Sequence, residues 1–450
     1  MSEKKHSTGK NINRREFLAG AAAAAAFTFV PKSVFGQGLP ASERLNLACI
    51  GACGRGYADI LGLERHNWVA FCDVIPERDE RPHEKYPDTP WYTDYRQMLD
   101  KHEKEIDAVI VAPPDHCHAP AALNCICRGK HVYVEKPMTW SVEEARLLCA
   151  EVKKYKVASQ MGNQGHAGEG THLFHDYITG GHLGAVKEVH VWTNRPVGYW
   201  KQGIARPTEA QPVPKGMAWE LWHGPCQPRP FNQVYHPGAW RGWVEYGTGA
   251  LGDMGAHLID APFWALNLGL PSTVEATFTE FNGESWPASS KVVYEFPARG
   301  EMPACKLTWY DGGQQPERPA DLEEGRRMGN KDGGILVIGD KGKMVSSCYG
   351  NETRLIPESY MQQVGRIEKK LERSPGHYQE FVRACKGGKP AASNFDYSSR
   401  LTEMMIIGCI AIRAGRKLTY EPETMSFKGD AEATSFLKRP SYREGWTIKA

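Results

Sequence analysis

The chain of 450 residues is 41% hydrophobic and 24% charged, the balance of a soluble globular enzyme of two or three domains with room for a large core. Its formal net charge is +2, and residues 1–37 hold six basic side chains against two acidic ones, so the remainder sits near −2. That balance excludes nucleic acid as an electrostatic partner.

The N-terminal stretch reads Asn13-Arg14-Arg15-Glu16-Phe17-Leu18, then an alanine-rich run to Ala26 and Phe27-Thr28-Phe29-Val30. Paired arginines ahead of a weakly apolar run predict a twin-arginine export signal over residues 1–37, with cleavage after Gly36. The run is too short to span a bilayer, which argues against an integral membrane protein; an unprocessed amphipathic anchor is the alternative. Such a signal implies a periplasmic location, the twin-arginine export machinery as a partner, and a chain that folds before export, commonly around a cofactor. Twelve cysteines fit that history, because Cys49, Cys72, Cys125, Cys149 and Cys409 fall within apolar segments and read as small buried hydrophobes. Cys125 and Cys127 lack zinc-site spacing, and no metal is expected.

Residues 44–50 form a first apolar strand, and Gly51-Ala52-Cys53-Gly54-Arg55-Gly56 leads from it into a helix over 57–65. Strand, glycine turn and helix make a dinucleotide site because backbone N–H groups at the helix start face a pyrophosphate. Gly51 and Gly56 hold the first and third fingerprint positions, whereas Cys53 takes the second and Gly54 is displaced by one. A second strand, 68–72, ends in Asp73, 22 positions after Gly51, where a carboxylate accepts hydrogen bonds from the adenosine ribose. A helix over 95–102, a strand over 106–112, the turn Pro113-Pro114-Asp115-His116-Cys117-His118 and a helix over 119–128 follow. The next strand, His131-Val132-Tyr133-Val134, runs into Glu135-Lys136-Pro137, at a strand carboxyl end where open α/β sheets bind ligands. A lysine there can polarise a hydroxyl or pass a proton once desolvation or a nearby cation lowers its pKa; a solvated Glu135–Lys136 pair before a turn proline is the plainer alternative. A helix over 141–155, with Ser141 and Glu144 spaced as a capping box, and a strand over 156–161 ending at Gly162-Asn163-Gln164-Gly165-His166 complete the rhythm of a doubly wound parallel sheet.

Past residue 165 the pattern changes. A helix over 171–179 and a strand over 186–193 lead into a Pro-, Gly- and aromatic-rich loop, 194–248, and seven of the thirteen tryptophans lie between Trp192 and Trp264. Rigid aromatic faces suit sugar rings, so Tyr235, His236, Trp240 and Arg241 are candidate substrate contacts; the alternative is that the tryptophans staple a long loop. Leu251-Gly252-Asp253-Met254-Gly255-Ala256-His257 opens a helix to about residue 266, with Asp253 and His257 on one face and no third ligand to suggest a metal. Strands over 273–281, 291–296, 304–310, 334–339 and 343–347 join 186–193 in a large, mostly antiparallel sheet, and residues 311–330 read as a flexible charged insertion. Helices over 377–385 and 398–414 follow, the second apolar nearly all round and therefore buried.

The glycine turn, Asp73, the Glu135-Lys136-Pro137 strand end and the Asp253–His257 helix together resemble the Gfo/Idh/MocA oxidoreductases over about residues 42–420. The resemblance implies an α/β fold with a Rossmann domain, 42–165, and a C-terminal α/β domain, 166–450, that binds substrate and whose open sheet forms a homo-oligomer interface. It implies NAD, with Gly51, Cys53, Gly54, Arg55, Gly56, Asp73, Pro114, His118, Glu135, Lys136 and Gln164 as its contacts, and export to a periplasm poor in free NAD implies that the cofactor is tightly held. Asp73 would repel a 2′-phosphate and Arg78 lies five positions on, which favours NAD over NADP. By the same resemblance Lys136 contacts the reacting hydroxyl, His257 is the general acid/base, Asp253 positions the substrate or Lys136, and His166 meets the substrate.

Three functions compete. One is an oxidoreductase acting on a hydroxyl of a sugar, glycoside or polyol. Another is a glycoside hydrolase or lyase in which transient oxidation is reversed and no net redox change results. The last is a non-catalytic carbohydrate-binding protein. Glycosidases of the superfamily often lack the turn lysine, so Lys136 favours the first, and Lys136, Asp253 and His257 together disfavour the third.

Overall fold

Short apolar strands alternating with amphipathic helices can bury both sheet faces only as a parallel sheet with crossover helices. In the computed structural model, which describes residues 39–448, that sheet is made of β1 (Asn46–Ile50), β2 (Asn67–Cys72), β3 (Trp91–Tyr92), β4 (Ala108–Val111), β5 (His131–Val134) and β6 (Ser159–Met161). Its order is β3-β2-β1-β4-β5-β6 and every pairing is parallel, so the chain reverses direction across the sheet between β1 and β4, where doubly wound folds open a ligand crevice. The helix Val142–Tyr155 begins on the capping box expected of Ser141 and Glu144, with both halves formed.

The second sheet contains β7 (Val186–Trp192), β8 (Thr273–Phe278), β9 (Ser290–Phe296), β10 (Cys305–Tyr310), β11 (Gly334–Gly339), β12 (Lys343–Ser347), β13 (Arg354–Ile356), β14 (Leu418–Glu421) and β15 (Ser426–Phe427). Among the described residues it is nine-stranded, ordered β13-β12-β11-β7-β10-β9-β8-β14-β15, and antiparallel except where β10 runs parallel to β7. The helix Phe395–Ala414 packs on β8, β9, Gly249–Leu258 and Val142–Tyr155, which is why it is apolar nearly all round.

Residues from Leu45 onward form one unit, and the preceding unit contributes the turn Ala41–Glu43. The export signal expected over 1–37 lies outside the described residues. No helix among the described residues is long and apolar enough to cross a membrane, and all twelve cysteines are free.

Several local expectations change. The helix expected from 119 starts at Asp115, with Pro114 as its cap, so the supposed turn is the helix's own first turn. Leu251 does not open one long helix: Gly249–Leu258 is followed by a separate Asp260–Ala265. The insertion 311–330 is pinned by Leu322, buried against Trp192, Tyr310 and Leu336. In the long loop, Trp219, Trp222, Trp240 and Trp243 pack with Phe231, Tyr235 and Tyr246 into a core of their own, which supplies the burial that an irregular segment otherwise lacks.

Candidate functional site

A cavity of about 330 Å³ opens over the carboxyl ends of the parallel strands, within the range of small-molecule sites. Gly51, Cys53, Gly54 and Arg55 line it at the end of β1, and Gly51 and Gly54 have φ of 79° and 65°. The conformation that demands glycine therefore falls on Gly54 rather than on Cys53, which explains the displaced fingerprint. Gly56 does not reach the cavity: a Cβ there would stand 2.0 Å from Gly51 O, so it serves the close packing of helix on strand. Asp73, at the end of β2, lines the cavity and accepts hydrogen bonds from Cys53 N and Ile75 N, both at 3.1 Å. Burial pushes its carboxyl up despite Arg78, whose Nη2 lies 3.9 Å away. Arg78, set aside by sequence spacing, also lines the cavity.

At the far end, Lys136 Nζ donates to Asp253 Oδ1 and to Asp253 O, both at 2.8 Å. Asp253 also receives Arg241 Nε at 2.8 Å and Arg195 Nη1 at 3.0 Å, so one carboxylate gathers three cations. Burial opposes its ionisation, but Lys136, Arg241 and Arg195 outweigh burial and hold it well below the usual carboxylate range. One helical turn on, buried His257 lines the same cavity with Nδ1 unpartnered. Burial, with Lys136 beside it, holds its imidazole well below the usual 6.5, hence neutral. Tyr349, from the loop after β12, brings its ring to 4.7 Å from that of His257 at a backbone φ of 66°, a left-handed conformation rare for an aromatic residue.

Between the two ends, Glu135 Oε1 accepts from Arg55 Nε at 2.9 Å and Gln164 Nε2 at 2.8 Å. Arg55, Glu135 and Gln164 thus hold one another as a wall. Pro114 lines the cavity, as does His118, whose ring nitrogens contact Pro137 O at 2.7 Å and Pro113 O at 2.8 Å, bracing the turns after β4 and β5. Of the expected substrate contacts, His236, Trp240 and Arg241 line the cavity and two do not. Tyr235 is buried in the aromatic core of the loop. The His166 ring lies against Asp260, 3.0 Å from both carboxylate oxygens, and packs on Trp264 and Tyr397, because an imidazole at a buried strand end needs a polar partner. Sequence reasoning missed Arg195, Tyr349 and Trp446; of these only Arg195, at the end of a strand, carried a positional signal.

Residues 45–163 match an oxidoreductase family with an NAD-binding Rossmann fold, and residues 176–296 and 326–448 match the C-terminal α/β domain of the same oxidoreductases. The chain belongs to the Gfo/Idh/MocA oxidoreductase family. A glycosyl hydrolase family 109 protein of Shewanella sp. (strain MR-4) is 32% identical over 164 residues, 30% of this chain and 35% of that protein. The match thus spans about a third of this curated relative. Among solved structures, the WlbA dehydrogenase from Bordetella pertussis in complex with NADH and UDP-GlcNAcA shares the fold, with a TM-score of 0.58, 16% identity, and coverage of 84% of this chain and 99% of that one. Levoglucosan dehydrogenase in complex with NADH and L-sorbose does likewise, with a TM-score of 0.55, 17% identity, and coverage of 84% and 98%.

The cavity of this Gfo/Idh/MocA chain fits a nicotinamide dinucleotide. Positive-φ glycines turn backbone toward it at a helix start, a buried carboxylate ends β2, and a buried imidazole with one nitrogen unpartnered lines the opposite end. Gly51, Gly54 and Asp73 would hold the dinucleotide on the β2 side, with Lys136 and His257 at its reactive ring.

Proposed function

We propose that this protein is an oxidoreductase that uses a tightly retained NAD on a hydroxyl of a sugar, glycoside or polyol. The observation that carries the reading is the union, in one cavity with the glycine turn, of Lys136 held by Asp253 at 2.8 Å and a neutral His257 whose Nδ1 is unpartnered. When bound, the nicotinamide supplies the hydride acceptor. His257 is unprotonated and takes the hydroxyl proton. Lys136 spends two donors on Asp253 and has a third for the developing alkoxide. In this reading residues 42–165 bind the dinucleotide, 166–450 bind substrate, and the open second sheet joins copies into a homo-oligomer.

The Arg14-Arg15 motif supports export by the twin-arginine machinery to the periplasm. Free NAD is scarce there, so a retained cofactor must be reset within the same pocket, by a second sugar or by return of the hydride. The family 109 relative favours the second of these, a redox-assisted cleavage of glycosides. Mass analysis of nucleotide released by denaturing the purified protein tests retention, with NAD or NADH and turnover without added NAD as the expected result. Nucleotide-free protein whose rate follows added NAD would overturn it. A cleaved glycoside without net redox change selects the second reading, and one oxidised plus one reduced sugar selects the first.

A further inference from the structure

Residues 439–448 follow the last helix, Ala431–Ser435, as an irregular strap that is pinned along its length. Buried Arg439 pairs with wholly buried Glu144 at 3.3 Å, its guanidinium 4.3 Å from the Trp140 ring, and Tyr442 OH donates to the same carboxylate at 3.0 Å. Farther on, Arg443 N donates to Pro225 O at 2.9 Å and the Arg443 guanidinium donates to Glu220 O at 2.8 Å. These contacts deliver Trp446, 7% exposed, edge-on to Tyr95 with ring centroids 6.0 Å apart and the Arg96 guanidinium 4.4 Å from its ring. Trp446 and Tyr95 line the main cavity, and the same two side chains line an outer groove of about 390 Å³ beside Arg96 and Leu123. They form the partition between the two spaces.

Strand order tells which half of a dinucleotide this partition would face. Tyr95 opens the helix after β3, the strand beside β2 and its Asp73, whereas Lys136 ends β5 on the other side of β1. In a sheet of this order the carboxylate after β2 takes the adenosine ribose, so Trp446 stands on the adenosine side and His257 at the opposite end. We propose that Trp446 is a cofactor-binding residue, an aromatic wall for the adenosine half of the dinucleotide, and that the strap held by Arg439 sets how fast the dinucleotide leaves. The proposal rests on the dinucleotide reading above.

The test uses the full chain, first stripped of any retained nucleotide, and three probes, NADH, ADP-ribose and nicotinamide mononucleotide. Removing an aromatic face from beneath a base costs roughly 5- to 150-fold in affinity. Trp446→Ala is expected to speed NADH dissociation, followed by competitor chase, about 10-fold or more. Calorimetry should show the same loss for ADP-ribose and none for nicotinamide mononucleotide, with Trp446→Phe restoring most of the affinity. Should Trp446→Ala not fold, Trp446→Leu keeps apolar volume without the aromatic face and is read instead, with at least a roughly threefold loss of ADP-ribose affinity expected. A folded variant with unchanged ADP-ribose affinity, or one that weakens both fragments equally, overturns the proposal. A wild-type chain that binds neither NADH nor ADP-ribose overturns the dinucleotide reading and the strap's role with it, whereas unchanged binding in the variant alone overturns only the latter.

Discussion

His257 owes its neutrality to three effects of one sign: burial, the charge of Lys136, and the smaller effects of Arg55 and Arg195, which Asp253 only partly opposes. The acid limb of kcat/KM for hydroxyl oxidation is therefore expected below pH 6.5, since the base stays unprotonated down to its lowered pKa. Lys136→Met should move that limb up toward 6.5 and lower turnover about 100-fold or more, the scale of an acid/base or oxyanion group, with nucleotide affinity falling far less than turnover. A pH profile of the variant checks this, and a limb that stays put assigns the base to another residue. At the other end of the cavity, Arg78 lies 3.9 Å from the Asp73 carboxylate. Asp73→Ser frees that guanidinium for a 2′-phosphate, and the NAD-to-NADP preference, read as a ratio of dissociation constants, is expected to shift toward NADP by roughly 10- to 100-fold.

Among the elements, the helix Gly249–Leu258 does two jobs one turn apart, because Asp253 and His257 share a face. Asp253 ties the end of β5 through Lys136, the segment after β7 through Arg195, and the turn Ala239–Gly242 through Arg241. Its removal leaves three cations with no shared counter-charge, so Asp253→Ala is expected to cost about 3–5 kcal/mol of stability, while Asp253→Asn keeps the shape and costs less. Urea denaturation measures both; a wild-type midpoint for Asp253→Ala would show that the three segments are held by packing alone. Elements with clear punctuation were legible to the residue: Tyr95–His102, capped by Asp94, and β11 and β12, joined by the turn Asp340-Lys341-Gly342. Strands β3, β13, β14 and β15, two to four residues long, carry too little periodicity to declare themselves and exist because a neighbouring edge offers hydrogen bonds.

Across the whole molecule, burial depresses several histidines: His116 and His377 to about 3, His223 and His236 to about 4. Each binds a proton near pH 6.5 when unfolded and not when folded, so its contribution is whole above 6.5 and is lost as pH falls toward the folded value. Asp311, raised by burial to about 6, acts with opposite sign below pH 6 and offsets one histidine's share. Stability is thus expected to decline from pH 6.5 downward, by at most about 1.4 kcal/mol per pH unit for each fully buried histidine. Urea midpoints at pH 7.5 and 5.5 measure the decline, and His377→Gln should make it shallower whatever its effect at neutral pH.

Local order was enough to determine the parallel sheet, the glycine turn and Asp73, the capped helices, and the placing of Asp253 and His257 on one face, because each depends on residues within a turn or a strand of one another. The meeting of Lys136 with Asp253 across 117 positions, the entry of Arg195, Tyr349 and Trp446 into the cavity, and the withdrawal of His166 and Tyr235 from it were decided by tertiary structure alone. A strand end or an aromatic-rich loop indicates that a side chain lies near a crevice. Whether that side chain faces the crevice depends on what lies behind it: Asp260 satisfies the His166 ring from the core side, and the tryptophans around Tyr235 bury it more fully than the cavity would.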